Sequence, residues 1–172
     1  MDAANYSAVE TLPNGGKIMI RALHPEDEDD FTTAARQTSA QSLYRRFFAP
    51  RREFSENEVS FFVNVDFIKH VALIAVDEAG KHHTIAGGGR YVVGEPGRAE
   101  LAFMVVDRYQ ARGIGSALLR HLVAIARESG LHELTADVLS DNLPMLKILE
   151  RGGFRPAAAR ERGTKRLTLH LR

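Results

Sequence analysis

Gly113 and Gly115 stand where a strand-like stretch gives way to a helix-like one. Glu100-Leu101-Ala102-Phe103-Met104-Val105-Val106 is short and mostly apolar, the pattern of a buried strand. Further on, Ile114, Ala117, Leu118, Leu122 and Ile125 recur at helical spacing, with Ser116, Arg120 and Arg127 on the polar side and Gly130 at the place of a left-handed cap. Arg112-Gly113-Ile114-Gly115 therefore opens a helix. The first amides of a helix have no intrahelical partner and lie at the positive end of its dipole, so they attract an anion. Glycine lets a phosphate approach the backbone with no Cβ in the way. The spacing predicts a diphosphate seated on the amides of Arg112 to Ser116.

Two common diphosphate sites fit poorly. A dinucleotide turn follows its strand directly and reads G-x-G-x-x-G/A. Here the third position is Leu118, and the polar connection Asp107 to Arg112 intervenes. Asp137, in the next strand-like stretch, could still play the ribose-binding acid. A nucleoside-triphosphate loop needs Gly-Lys-Ser/Thr, which is missing.

Gln110-x-Arg112-Gly113-x-Gly115 resembles the Gln/Arg-x-x-Gly-x-Gly/Ala signature of the GNAT (Gcn5-related N-acetyltransferase) superfamily. Ala99-Glu100-x-Ala102 upstream, and Asp141-Asn142 through Gly153-Phe154 downstream, resemble the flanks of that signature. The resemblance covers roughly residues 16 to 172, most specifically 97 to 154. It implies an α/β fold: a single GNAT domain with a mixed, mostly antiparallel twisted sheet flanked by helices. It also implies an acetyl-CoA-dependent N-acetyltransferase acting on a primary amine, either a protein lysine or a small molecule. In such a protein the loop of Gln110, Ala111, Arg112, Gly113, Ile114, Gly115 and Ser116 binds the pyrophosphate of acetyl-CoA. The backbone of Met104, Val105 and Val106 pairs with the pantetheine arm, and Asn142 hydrogen bonds to the pantetheine or the strand edge. Asn142 or Asp141 could equally cap the following helix.

A lysine amine, with a reference pKa of about 10.4, arrives protonated at neutral pH and needs a base. Glu100 matches the glutamate that many members use, directly or through a water, and partial burial would suit it to the task. Its other reading is a cross-strand partner of Arg90 or Arg98. A backbone amide near Met104 or Val105 would stabilise the oxyanion. The sequence departs from the family where Asn-x-x-Ala-x-x-Leu-Tyr often supplies a tyrosine to the leaving thiolate. Asn142 is present, but Met145, Ile148 and Leu149 occupy the later positions, and no tyrosine follows Tyr109. A non-catalytic acyl-CoA-binding regulatory module is therefore the alternative, and a fragment of a nucleotide-binding oxidoreductase is a third. Ser42 to Phe48 further resembles the acetyltransferase domain of bacterial protein-lysine acetyltransferases. Members are frequently homodimers.

The 172 residues suffice for one domain, and a formal net charge of +1 gives no strong pull toward nucleic acid or an anionic membrane. The absence of cysteine removes disulfides, thiolate nucleophiles and zinc–thiolate sites. Met1 to Asn5 lacks the basic-then-apolar pattern of a signal peptide, and runs such as Val71 to Val76 are too short to span a bilayer. A cytoplasmic enzyme is the expectation. His82-His83 lack a third ligand, so no metal is expected. His24, His121, His132 and His170 read as surface or packing residues.

The elements that must position these groups follow in order. Residues 1–15 read as a loose arm ending in Pro13-Asn14-Gly15-Gly16, and Lys17 to Leu23 as a first strand. His24-Pro25-Glu26-Asp27 starts a helix. Glu26 to Asp30 forms either a solvated face or an acidic patch for a cationic acceptor. Ser39 to Phe48, stopped by Pro50, and Ser55 to Val63, opened by a capping box, are two more helices. Arg45, Arg46, Arg51 and Arg52 form a solvated basic face, or contact an acidic protein or the CoA 3′-phosphate. His70 to Val76 and Thr84 to Val93 read as a hairpin whose Gly87-Gly88-Gly89 run marks a close approach. Glu133 to Leu139 is a strand parallel to the one before Gly113. Asn142 to Arg151 is the last helix, and a hairpin closes the chain.

Overall fold

The computed structural model describes all residues except 50, 52, 80–82, 159 and 160, so Pro50, Arg52 and His82 lie outside the described residues. The elements are β1 (Ser7–Thr11), β2 (Lys17–Ala22), α1 (Glu28–Arg36), α2 (Ala40–Phe47), α3 (Glu56–Val63), β3 (His70–Asp77), β4 (Thr84–Val93), β5 (Arg98–Val105), α4 (Ile114–Glu128), β6 (Glu133–Leu139), α5 (Leu143–Arg151), β7 (Arg155–Ala157) and β8 (Thr164–His170). One eight-stranded sheet runs β1-β2-β3-β4-β5-β6-β8-β7. Every neighbouring pair is antiparallel except β5 and β6, which are joined by the α4 crossover and run parallel.

The two faces of the sheet carry different helices because side chains alternate along a strand. A Cβ at Gly87 or Gly89 of β4 would meet Leu118 or Leu122 of α4, so glycine there lets α4 lie close. Arg90, of opposite parity, reaches the Phe62 carbonyl of α3. α4 thus covers one face, and α1, α2 and α3 gather on the other. β3 is buried along nearly its whole length, as a central strand covered on both faces must be.

The helix ends follow their local signals. Ser39 caps α2 by accepting from the Ser42 amide, and Ser55 and Glu58 form a reciprocal capping box on α3. Phe48, at φ 60°, terminates α2 before position 50 is reached. Gly130, at φ 80°, closes α4, with Gly130 and Leu131 donating back to Arg127 and Ala126.

One expectation is corrected. Within the supposed loose arm, residues 7–11 form β1, paired with β2 over its whole length. Its alternation is weak because it is an edge strand with little apolar burial. A polar clasp holds it instead. The His121 ring of α4 hydrogen bonds to the Tyr6 hydroxyl through Nδ1 and meets Glu10 through Nε2 at 2.6 Å.

Candidate active site

β5 and β6 stay in register only from Arg98–Glu133 to Glu100–Thr135. Beyond that point they part, and a small cavity between them is lined by Leu101, Phe103, Ala136 and Val138, with Leu149 and Met145 of α5. The direction of the β5 amides follows from one bond. Val106 N–H donates to the Ala86 carbonyl at 2.8 Å. In an antiparallel ladder alternate residues face the partner. Met104 and Val106 therefore turn their amides toward β4, whereas Phe103 and Val105 turn theirs toward the gap. Of the three residues predicted to meet the pantetheine, Val105 has its backbone on the open side. Met104 also lines the cleft, and Val106 lies off the main cleft, buried.

The connection to α4 is braced at several points. The Tyr109 hydroxyl donates to Asp77 at 3.0 Å, and the Arg108 and Arg112 guanidiniums stand 4.9 Å and 5.4 Å from its ring centroid. Gln110 Nε2 donates to the Val105 carbonyl at 3.0 Å and the Ser42 hydroxyl at 3.2 Å. The signature glutamine is thus a strut between loop, strand and α2. Ala111 at φ 62° and Gly113 at φ 90° turn the chain into the helix. The first rung of α4 runs from Ala117 N–H to the Gly113 carbonyl at 3.1 Å, so the amides of Ile114, Gly115 and Ser116 precede the helical ladder.

These amides border a cleft of about 740 Å³ that also takes in Phe103, Met104, Val105, Gln110 to Ser116, Asn142 and Ile148. The sequence reading places the loop, the strand and Asn142 apart, and the fold brings them to this one space. It differs on Gly115. That glycine is buried, and a Cβ there would meet Ile148 at 3.2 Å and Phe103 at 3.3 Å, so its smallness serves packing of α4 on the sheet. Gly113 is half-buried and needs glycine for its positive φ. Sequence reasoning missed other parts of the wall. The β1–β2 turn, Thr11 to Asn14, reaches the cleft, with Pro13 3.0 Å from where a Gly113 Cβ would stand. Arg120 and Arg151 also line it, as does Arg45, while Arg51 pairs with Glu58 instead. Only the helical phase of Arg120 and Arg151 relative to the loop could have signalled this.

Asn142 is buried and caps α5, its Oδ1 accepting from the Met145 amide at 3.4 Å, and it also lines the cleft. Leu149 is fully buried beside the strand gap and offers no proton donor there.

Glu100 sits where the gap begins, opposite Val92 on β4 and Thr135 on β6. It is exposed rather than partly buried. Arg98 pairs with Glu95 and Glu133, and Arg90 faces Ala102, so neither is its cross-strand partner. Among the described residues, Arg46 and Arg166 are charges that share its field. Arg166 also holds Asp137 through two bonds at 2.8 Å and 3.0 Å, which removes Asp137 as a ribose-binding acid. Asp27, from the acidic run at the start of α1, is buried and gripped by Arg21 rather than exposed to a cationic acceptor. Among the described residues, no three His, Cys, Asp or Glu are placed to hold a metal, and no helix is long and apolar enough to cross a membrane.

A strand gap that opens after Glu100 and a glycine loop at a helix start stand on adjoining elements, although Glu100 itself lines none of the cavities described, and residues 30–154 match the profile of the acetyltransferase (GNAT) family. The chain belongs to that family. It is 32% identical over 143 residues to the acetyltransferase Pat of Mycolicibacterium smegmatis, covering 81% of this chain and 41% of that protein. It is 30% identical over 128 residues to an acetyltransferase of Pseudomonas aeruginosa, covering 73% of this chain and 68% of that protein. The match thus spans about two fifths of the length of the M. smegmatis relative. Among solved structures, the GNAT domain of S. lividans PAT superposes with a TM-score of 0.89 at 33% identity, over 96% of this chain and 97% of that one. A Salmonella typhimurium protein solved with acetyl-CoA shares the fold, with a TM-score of 0.69 at 18% identity over 90% of this chain and 94% of that one. The family is one of acyltransferases, and its donor is acetyl-CoA.

Proposed function

We propose that this chain transfers the acetyl group of acetyl-CoA to a primary amine, on a protein lysine or a small molecule. The observation that carries the reading is the parting of β5 from β6 directly after Glu100 and Thr135, beside the pre-ladder amides of α4. An extended pantetheine arm has room to lie along β5 against Phe103 and Val105. The diphosphate has donors in the amides of Ile114, Gly115 and Ser116, with Arg112 beside them.

The chain's own groups divide the chemistry. Glu100 takes the proton of the incoming ammonium, directly or through a water, so that the nitrogen lone pair attacks the thioester carbonyl. The Val105 amide, turned to the gap, donates to the oxyanion as it forms. The C–N bond forms, the nitrogen sheds its second proton to water, the C–S bond breaks, and CoA departs as a thiolate. With Leu149 where a tyrosine often stands, that thiolate takes its proton from water. Asn142 holds the start of α5 at the edge of the gap.

The test is calorimetric titration with acetyl-CoA, with NAD and ATP as controls, followed by thiol release with amines and lysine-containing proteins. Saturable binding of acetyl-CoA alone, with turnover of an amine, supports the reading. Binding without transfer to any amine favours a regulatory acyl-CoA-binding module, and binding of NAD instead overturns the site.

A further inference from the structure

On the α1–α3 side of the sheet lies a second cavity of about 70 Å³ that shares Arg46 and Met104 with the main cleft. Phe31, Phe47, Phe54 and Phe62 wall it, their ring centroids 5.2 to 6.0 Å apart. Two guanidiniums border this apolar space. Arg90 lies 4.8 Å from the Phe62 ring centroid, and its Nη1 donates to the Phe62 carbonyl at 3.1 Å and to His70 Nε2 at 3.0 Å. Arg46 lies 4.6 Å from the Phe47 ring centroid. Among the described residues neither forms an ion pair.

Two half-buried cations facing one cavity form an arrangement that costs stability unless an anion joins them. Burial and the nearby charge of Arg46 pull the Arg90 guanidinium down to about 9. Burial pulls Arg46 to about 10, with Glu100 opposing. His70 contributes no negative charge. Burial and Arg90 push it down to about 4, so it is neutral at neutral pH and serves Arg90 as an acceptor. Arg90 Nη1 is occupied, which leaves its other N–H groups for a ligand.

We propose that Arg46 and Arg90 bind a carboxylate carried by the amine acceptor, with the aromatic wall excluding water from the ion pair. The proposal deepens the acetyl-transfer reading and rests on it. Its spacing comes from the strand. Arg90 faces Ala102, and Glu100 is two residues further along β5 on the same face, about 7 Å away. The acceptor therefore carries its carboxylate apart from the reacting nitrogen, across an apolar spacer. A free ω-amino acid has this chemistry, and so does a peptide lysine beside an acidic residue.

The experiment measures thiol release from acetyl-CoA with two matched pairs. One is 6-aminohexanoate against 6-aminohexanamide. The other is a short peptide with lysine beside aspartate against the same peptide with asparagine. The expected result is a preference of about tenfold or more in kcat/KM for the carboxylate member of at least one pair. The pair that shows it identifies the source. In Arg90→Gln the ratio should fall toward one, and Arg46→Gln serves if the first variant folds poorly. Calorimetry with acetyl-CoA runs alongside. Normal acetyl-CoA binding with no carboxylate preference in either pair, or no turnover of any of the four, overturns the carboxylate site and leaves the donor reading standing. A preference that survives both substitutions overturns it as well. Loss of acetyl-CoA binding in the unaltered protein removes the donor reading itself.

Discussion

Asp107 accepts a hydrogen bond from the backbone amide of Ser39 at 2.8 Å, and its second oxygen accepts from the Ser42 hydroxyl at 3.3 Å. One carboxylate in the loop after β5 thus completes the cap of α2, the helix that carries Arg45 and Arg46. The loop before α4 and α2, on two sides of the cleft, are tied by this contact and by the Gln110–Ser42 bond. Asp107→Ala should cost about 1 kcal/mol of stability, the worth of a lost cap at an exposed site. KM for the acceptor should rise more than KM for acetyl-CoA, because α2 loosens while the α4 amides stay. Steady-state kinetics with both substrates, together with a thermal melt, check it, and equal effects on both KM values would disconnect Asp107 from acceptor binding.

Glu100→Gln removes the proposed base while keeping the shape of the side chain. The expected result is a fall in kcat of about 10² to 10⁴, the usual worth of a positioned proton acceptor. The dissociation constant for acetyl-CoA and the melting temperature should hardly change, since the residue is exposed. Near-normal turnover across pH would take Glu100 out of the mechanism.

The two loop glycines should fail in different ways. Gly113→Val forces a branched residue into φ 90° against Pro13, which costs about 1–2 kcal/mol locally and shifts the loop amides. Acetyl-CoA should then bind at least about tenfold more weakly to a folded protein. Gly115→Leu instead drives side-chain atoms into Phe103 and Ile148, so the primary effect is a lower melting temperature, of the order of overpacking at about 1–3 kcal/mol. Calorimetry and thermal melts on both variants separate the two roles. A folded Gly113→Val with unaltered affinity would refute the loop as the diphosphate site.

Asp27 sets a pH dependence of stability far from the cleft. Burial pushes its carboxyl up, but hydrogen bonds from Arg21 at 2.7 and 2.8 Å and from the His24 amide at 2.8 Å outweigh this and hold it below the usual carboxylate range. A folded-state pKa below the unfolded one means that the contribution is present above about pH 4 and is lost as pH falls through the folded value. Asp27→Asn should therefore destabilise the protein at pH 7 by about 2–3 kcal/mol, and the gap to the unaltered protein should narrow below pH 4. Urea unfolding at several pH values checks the sign. A gap that widened in acid would contradict the assignment.

Much of the strand–loop–helix unit proposed to hold the donor is legible in the residues themselves, because its logic is local. The apolar run through Phe103, the glycine at 113 and the helical spacing of Ile114, Leu118 and Leu122 lie within two dozen positions. Each depends only on backbone propensity and period. The caps at Ser39, Ser55 and Gly130 are readable for the same reason. β1 is not, since an edge strand buries little and here depends on His121, over a hundred residues away.

The sequence by itself determined the strand–loop–helix unit, the carboxylate two residues into β5, and the absence of a tyrosine at 149. Tertiary structure alone decided which faces meet. The register of β4 on β5 sets Arg90 opposite Ala102 rather than Glu100, and the docking of α2 on Asp107 brings Arg46 to the same cavity. The pairing of β5 with β4 chose Val105 over Met104 and Val106 as the amide facing the gap, and the close fit of α4 turned Gly115 into a packing residue. The physical reason is that periodicity specifies which side of an element a residue occupies. What waits on that side is set by pairing register and packing distance, which no short stretch of sequence encodes.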